Sequence, residues 1–378
     1  MRIGIVAGET SGDYLAAGVM KALQRRLGDV QFCGIGGPRM QALGMESRHD
    51  MESISLMGLD DLLSSMRSIL GIRRELTRYF IANPPDVFIG VDVPDFNLGL
   101  ETKLRAAGIP TVHYVSPTVW AWRGYRIAKI RRAVTHMLTL FPFEADYYKQ
   151  RKVPATFVGH PIADDIPEHL DRAAIRRALG LSEQRLVALL PGSRISELRR
   201  LARLFLETAV ELRSKYRDLQ FVAPMASDKA GRYFEHVVRE LRPDISLAVI
   251  QGHAREALAA ADVALIASGT AALEAGLVRT PMVVTYKVSP LTALLVRGFS
   301  HVEYYSMPNN LLPEPIVPEL LQDKASVGGL VSELSRYLGD RRLCEQTRQQ
   351  LGKIRGMLAR DANERAADAI VNVLEARS

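Results

Sequence analysis

Two series of short apolar runs, each run followed by an amphipathic stretch, set the fold class of this chain. The first series reads "IGIVA", "VQFCGI", "DVFIGVD", "PTVHYVS" and "THMLTLF". The second reads "LVALLPGSR", "LQFVAPMAS", "ISLAVIQG", "DVALIASGT" and "PMVVTYK". Runs of this length are strands, and helical stretches between them make the connections parallel crossovers. Two such series in 378 residues, enough chain for two cores, predict two α/β domains. The pattern pauses near Gly159-His160-Pro161 and turns polar through "IADDIPEHLD", which places the interdomain linker there. The expected division is residues 1–162, residues 163–345 and a helical tail over residues 346–378. Ligands of such sheets sit at the carboxyl ends of the strands, so a cleft lined by these loops is where chemistry is expected.

The first loop, "GETSGD" from Gly8 to Asp13, has the strand–glycine–helix form of an anion site. Its spacing is neither the dinucleotide G-x-G-x-x-G nor a P-loop, and Glu9 and Asp13 would repel a pyrophosphate. On the motif alone a tight turn is the favoured reading, with Ser11 or Thr10 as helix cap and Asp13 favoured by the helix dipole.

Two loops of the second series suit phosphate better. "LLPGSRISELRR" delivers Gly192, Ser193 and Arg194 to a helix start, where backbone N–H groups and a guanidinium fork can hold an anion. A capped helix with a solvated basic face explains the same residues. "IASGTAALEAG" places Ser268, Gly269 and Thr270 between strand and helix, with Glu274 one turn beyond Thr270. The glycine admits a diphosphate to the backbone, the hydroxyls can donate to it, and the carboxylate can accept from a ribose. The formal charge of +7 and pI near 9.4 also suit an anionic partner: a nucleotide, a lipid phosphate or a membrane surface. No nucleic-acid-binding motif is present, so nucleic acid ranks last.

The chain resembles the lipid-A-disaccharide synthase family, glycosyltransferases of the GT-B type. The resemblance spans nearly the whole sequence and rests on "GIVAGETSGD", "GIGGPRM", "LMGL", "PDVFIGVDVPDFN", "YVSPTVWAWR", "FPFEADYY", "FVGHP", "LLPGSR", "ASGTAALE" and "MPNNLLPEPIVPELLQ". It implies two Rossmann-like domains facing a cleft, with the last helices returning to the first domain. It implies an inverting hexosyltransferase of lipid A biosynthesis. The donor would be UDP-2,3-diacylglucosamine, the acceptor 2,3-diacylglucosamine 1-phosphate, and the products a β-1,6-linked disaccharide 1-phosphate and UDP. Donor contacts would come from Ser193, Arg194, Ser268, Gly269, Thr270, Glu274 and Asn309 in the second domain. Acceptor contacts would come from Glu9, Ser11 and Gly12. Two departures stand out: Thr10 replaces the family's usual alanine, and Asn310-Leu311-Leu312-Pro313 follows Asn309 where many members read leucine-alanine-glycine.

An inverting transfer needs a base for the acceptor hydroxyl and stabilisation of charge on the departing UDP. "DVFIGVDVPDFN" ends in Asp92 and Asp95. Asp95 is the expected general base, with Asp92 and Asp86 positioning the site or stabilising the turn; a helix N-cap is the competing role for Asp95. No D-x-D motif and no zinc-type spacing occurs, so no metal and no cofactor is expected. Two alternatives share this architecture: a UDP-N-acetylglucosamine 2-epimerase and a non-catalytic nucleotide-sugar-binding protein.

Lipid substrates require a membrane-facing surface. In "LMGLDDLLSSMRSILGIRREL" a helix from Leu59 aligns Leu59, Leu62, Leu63, Met66, Ile69 and Leu70 on one stripe, with Arg73 and Arg74 flanking it. Periodicity alone makes this a core-facing helix; lipid substrates make it an interfacial helix on an anionic leaflet. Trp120 and Trp122 would add amphipathic anchoring or line the acyl path. No signal peptide and no spanning run is read, and Cys33 and Cys344 show no disulfide or metal pattern. These features predict a peripheral enzyme on the cytoplasmic face of the inner membrane. The oligomeric state, a homodimer among the options, is left open.

Overall fold

A computed structural model describes residues 1–54, 62–120, 124–241, 245–287 and 303–376, with the side chains of helix Leu62–Ala82 described from Met66 onward. The chain divides into two compact units: Met1–Asp164 with Met357–Ser378, and Asp165–Gly356. The division falls two residues after the expected linker boundary, and the return to the first unit begins at Met357 rather than at 346.

The first unit is built on a sheet of β1 (Arg2–Ala7), β2 (Gln31–Ile35), β3 (Glu46–Ser47), β4 (Val87–Val91), β5 (Thr111–Tyr114), β6 (His136–Thr139) and β7 (Ala155–Phe157). The strands are parallel and ordered β3-β2-β1-β4-β5-β6-β7. Alternation along the strands divides the core in two. Ile3, Ile5 and Ala7 share one face with Val87, Ile89 and Val91, under helix Thr10–Leu27 and the C-terminal helix Ala362–Glu375. Val6 and Phe88 face the other way, against helices Leu62–Ala82 and Pro94–Ala106 through Leu76, Phe80, Phe96 and Leu100. Gly4 lies there because a Cβ would press on the Phe80 and Phe88 rings at 3.0 Å.

The C-terminal helix is fastened by specific contacts. Gly18 leaves the space that Asn363 fills. Asp164 accepts from the backbone N–H groups of Arg360, Asp361 and Ala362 at 2.8, 3.1 and 2.7 Å, satisfying the helix start. Arg25 and Arg26 pair with Glu364, and Arg26 with Asp368, but exposed pairs of this kind stabilise by about 1 kcal/mol at most.

The second unit carries β8 (Arg185–Leu190), β9 (Leu219–Met225), β10 (Leu247–Gln251), β11 (Val263–Ala267), β12 (Met282–Tyr286) and β13 (Glu319–Leu321), parallel and ordered β10-β9-β8-β11-β12-β13. Strands β8, β9, β11 and β12 are buried nearly throughout, which explains their near-continuous apolar sequence. Asp262 locks the amino end of β11 by accepting from the Leu186 N–H, Arg172 and Arg176.

In each sheet the strand order reverses once: between β1 and β4, and between β8 and β11. Crevices at such reversals, at the carboxyl ends of the strands, are where open α/β sheets bind ligands.

Candidate functional site

At the β1–β4 reversal the protein fills a helix start with its own carboxylate. Gly8 donates its N–H to Asp92 Oδ1 at 3.0 Å. A Cβ on Gly12 would stand 1.8 Å from Asp92 Oδ2, and one on Gly8 would stand 2.6 Å from Val93. Both glycines are therefore fixed by the close approach of the β4 loop. Helix Thr10–Leu27 is preceded by Glu9 as N-cap, with no side-chain cap bond, so neither Ser11 nor Thr10 caps it. Asp13 stands in the first turn of its helix and is buried, and it also braces the next loop by accepting from the N–H groups of Arg39 and Met40 at 3.0 and 3.1 Å. Glu9 and Ser11 are exposed.

The β4 loop is bent hard. Asp92 and Val93 have φ of 52° and 32°, left-handed values that β-branched valine rarely adopts. Asn97 holds the bend from below. Its buried amide donates to the carbonyls of Val6, Val91 and Asp92 at 3.3, 3.1 and 3.0 Å. Burial pushes the Asp92 carboxyl up to about 7, with the Gly8 N–H pulling back and the nearby Glu9 charge adding to the rise. Oδ2 is buried with no hydrogen-bond partner among the described residues.

Asp95 is different. Its side chain is 56% exposed and ion-pairs with Arg126 at 2.7 Å. The N-cap of helix Pro94–Ala106 is Val93, so Asp95 is not the cap that its position in sequence also allowed. Asp86 is set apart by topology. It precedes β4, at the opposite end of the strand from Asp92, and accepts from the Arg2 N–H at 2.8 Å. A carboxylate at that end of the sheet braces β1 and cannot join the Asp92–Asp95 pair.

Two buried acids of the first unit escaped the sequence reading, Glu101 and Glu144. Glu101 and His113 are fully buried and hydrogen-bonded at 2.7 Å. Gly90 makes room: a Cβ there would stand 2.1 Å from Glu101 Oε1, and Gly90 is the register partner of His113. Burial raises the Glu101 carboxyl, and His113 draws it back. Glu144 is pushed up to about 8 by burial, against hydrogen bonds from Phe141 N–H and Trp120 Nε1, both at 3.2 Å. Trp120 also packs edge-on against Phe143 at 4.9 Å. Trp122 lies outside the described residues.

At the β8–β11 reversal the loops after the two neighbouring strands lie side by side. Gly192 takes φ of 121°, and the Ser193 and Arg194 N–H groups both donate to Glu197 Oε2, at 3.0 and 3.3 Å. The backbone there is already satisfied by the helix's own acid, so what Arg194 has left to offer is an exposed guanidinium, 3.7 Å from Glu197. After β11, Gly269 (φ 150°) is the N-cap of helix Thr270–Leu277 and makes no side-chain cap bond. This helix start, unlike the other two, has no protein carboxylate on it among the described residues. Ser268 Oγ donates to the Tyr305 carbonyl at 3.3 Å. Glu274 is raised by burial and pulled back by Arg255, 3.6 Å away. Asn309 does not present its amide to a ligand. It is buried, donates to the Val317 carbonyl and Glu319, and accepts from the N–H groups of Ile316 and Val317. Glu319 in turn accepts from Tyr305 and Ser306 N–H. Asn309 thus shapes the segment that touches Ser268.

The comparisons bear on what these loops serve. The family model described as lipid-A-disaccharide synthetase matches residues 3–373. The chain belongs to that family. A lipid-A-disaccharide synthase of Aeromonas hydrophila is 48% identical over 376 residues, covering 99% of this chain and 98% of the relative. One from Vibrio cholerae is 44% identical over 376 residues, covering 99% of each. Among solved structures, a UDP-GlcNAc 2-epimerase from Neisseria meningitidis bound to UDP-GlcNAc aligns at TM-score 0.67 and 12% identity, covering 98% of this chain and 100% of that one. Acinetobacter baumannii MurG aligns at TM-score 0.57 and 15% identity, covering 98% and 99%. These likenesses place the family's fold in the GT-B class.

Proposed function

We infer that the protein is the inverting hexosyltransferase that joins two acylated glucosamines in lipid A biosynthesis. It moves 2,3-diacylglucosamine from its UDP carrier to the 6-hydroxyl of 2,3-diacylglucosamine 1-phosphate and releases UDP. The observation that carries this is the family match from residue 3 to 373, joined by synthases at 44–48% identity along the whole chain. The epimerase likeness stands at 12% identity and reaches the fold only.

The second unit supplies the donor site. The uncapped start of helix Thr270–Leu277, with Ser268 and Thr270 hydroxyls, suits the diphosphate, and Arg194 adds charge as UDP departs. Glu274 is placed to accept from the ribose. The first unit supplies the acceptor site, with Glu9 and Ser11 exposed over the loop. For the base, what supports Asp92 over Asp95 is electrostatics. A carboxyl raised to about 7 holds a proton and releases it near neutral pH, whereas Asp95 is committed to Arg126. Asp95 then orients rather than abstracts.

Membrane contact fits helix Leu62–Ala82. Met66 and Leu70 are 47% and 36% exposed, whereas Ile69 leans on the core, so the expected stripe is split between solvent and interior. Leu59 and the side chains of Leu62 and Leu63 lie outside the described residues. Arg74 is exposed beside this face, and Arg73 turns toward Asp95. Among the described residues no helix is long and apolar enough to cross a membrane. The reading is a peripheral enzyme meeting its lipids on the cytoplasmic leaflet.

The test is direct. Incubation with UDP-diacylglucosamine and diacylglucosamine 1-phosphate should yield the disaccharide 1-phosphate by mass spectrometry, with or without a chelator. Absence of that product overturns the activity, and loss on chelation overturns the metal-free mechanism.

A further inference from the structure

Cationic side chains converge beside the β4 loop, on the first turn of helix Pro94–Ala106. Arg73 reaches over from helix Leu62–Ala82 and donates through Nη1 to the Asp95 carbonyl at 3.3 Å. Its guanidinium lies on Gly99, where a Cβ would stand 2.5 Å from Nη1. Arg126, immediately before helix Ile127–Ala133, holds Asp95 Oδ1 at 2.7 Å. Lys129, one turn further on, is half-buried. Burial holds its ammonium below the ordinary lysine range, Arg126 and Arg73 push it further down, and Asp95 pulls it back. The other acid that Lys129 senses, Glu101, is buried and bonded to His113. Cations crowded around a single exposed carboxylate repel one another, and a further anion among them relieves that repulsion.

The same helical face continues into apolar surface. Met66, Leu70 and Arg73 follow one another at i, i+4 and i+7, and the two apolar residues are exposed. The surface is therefore amphiphilic, with a cationic end against the loop of Asp92 and Asp95 and an apolar end running away from it. We propose that Arg73, Arg126 and Lys129 bind the phosphate monoester of the acceptor lipid, whose acyl chains lie along Met66 and Leu70. Two guanidinium forks and an ammonium suit a dianionic phosphate better than a lone carboxylate, and Asp95 keeps Arg126 aimed while the site is empty of ligand. Arg126 sits on Asp95, but among the described residues none of the three cations pairs with Asp92, the proposed base. A sugar with its phosphate at one end and its attacking hydroxyl at the other needs that separation. This inference rests on the acceptor assigned above.

Lys129→Gln and Arg73→Gln in the full chain test it, because Arg126 also holds Asp95. Each should raise the KM for the phosphorylated acceptor about ten- to hundred-fold, the range of a charged hydrogen bond, with the donor KM and UDP affinity unchanged. The parent should prefer the phosphorylated acceptor to its dephosphorylated counterpart, and the variants should lose that preference. Calorimetric titration with glucosamine 1-phosphate should show weaker binding to both variants. Variants that keep the parent's preference and its glucosamine 1-phosphate affinity overturn the proposal. Should that preference persist while binding to phosphatidylglycerol vesicles falls, the phosphate gripped here belongs to the bilayer, which also overturns it. A parent that forms no disaccharide refutes the functional reading instead, and the titration then decides this site alone.

Discussion

The two strand-order reversals use one backbone device with opposite loads. After β1 the start of helix Thr10–Leu27 lies against a carboxylate of the protein, Asp92, delivered by the neighbouring strand. After β11 the start of helix Thr270–Leu277 carries no protein carboxylate among the described residues. A helix N-terminus attracts an anion in either case. Where the protein supplies the anion, the helix start holds a carboxyl raised to about 7, the group proposed as the base. Where it does not, the start is available to a diphosphate. The loop after β8 is intermediate: Glu197 takes its N–H groups, and the arginine side chain is what remains. A glycine loop between strand and helix is thus no guide to ligand binding until the occupant of its N–H groups is known.

The largest expected effect breaks the first load. Asp92→Asn should lower transfer by about a hundred- to ten-thousand-fold, the usual share of general base catalysis, with UDP affinity intact. Asp95→Asn should cost far less. The reverse order returns the base to Asp95. With the Asp92 carboxyl at about 7, kcat/KM in the parent should rise with pH through that region, because the deprotonated form is the active one. The same shift fixes a stability signature. The folded value lies above the ordinary 3.8, so the buried charge costs stability most above pH 7 and not at all below pH 4. Asp92→Asn should therefore melt higher than the parent at pH 8, with the gap closing as pH falls. A gap that widens toward acid would show that the carboxylate is held charged.

Much of this was legible in the sequence, and the misses have physical reasons. Short, near-continuous apolar runs that end in glycine, serine or proline loops reveal both sheets because a parallel strand buried on two faces has few other ways to be written. They also reveal which loops leave the carboxyl ends, so Gly192–Arg194 and Ser268–Thr270 could be set side by side. What sequence hides is desolvation. The Asp92 carboxyl is raised by packing against Gly8 and Gly12, more than seventy positions away in the chain. The Glu101–His113 pair depends on a missing side chain at Gly90. Asp86 stands six residues before Asp92 in the same motif, yet a strand's length separates them in space. Asn309 reads as a ligand group until its amide is seen to be taken up by Ile316, Val317 and Glu319.

Breaking the second load should be milder. Arg194→Ala and Glu274→Gln should each weaken UDP binding by about 1.5–3 kcal/mol, the value of a hydrogen bond to a charged group. Calorimetry with unchanged affinity in both would move the nucleotide elsewhere. The glycines should then separate the two reversals. Gly12→Ala forces the Asp92 carboxylate aside and should cost about 1–3 kcal/mol by overpacking, reducing transfer with UDP affinity unaltered. Gly269→Ala meets no atom within 4 Å, so its cost is backbone strain at φ 150° and its readout should be UDP affinity. If both variants lower UDP affinity alike, the two loops do not carry separate duties.

The smallest effect is the sharpest comparison, because it sets the same residue type at the same position of both helices. Thr10 and Thr270 are each the first helical residue after the strand, following Glu9 and Gly269 as N-caps. Thr10 is exposed, and its helix start already faces Asp92. Thr10→Ala removes a hydroxyl with no assigned ligand and should shift stability by no more than about 0.5 kcal/mol, with turnover unchanged within a few-fold. Thr270→Ala removes the hydroxyl proposed to donate to the diphosphate and should weaken UDP binding by about 0.5–1.5 kcal/mol, the net worth of a neutral hydrogen bond. Equal changes in UDP affinity would mean that both helix starts touch the nucleotide. A larger loss of turnover at Thr10 would mean that the acceptor uses its hydroxyl, and the first helix start would then serve substrate as well as Asp92.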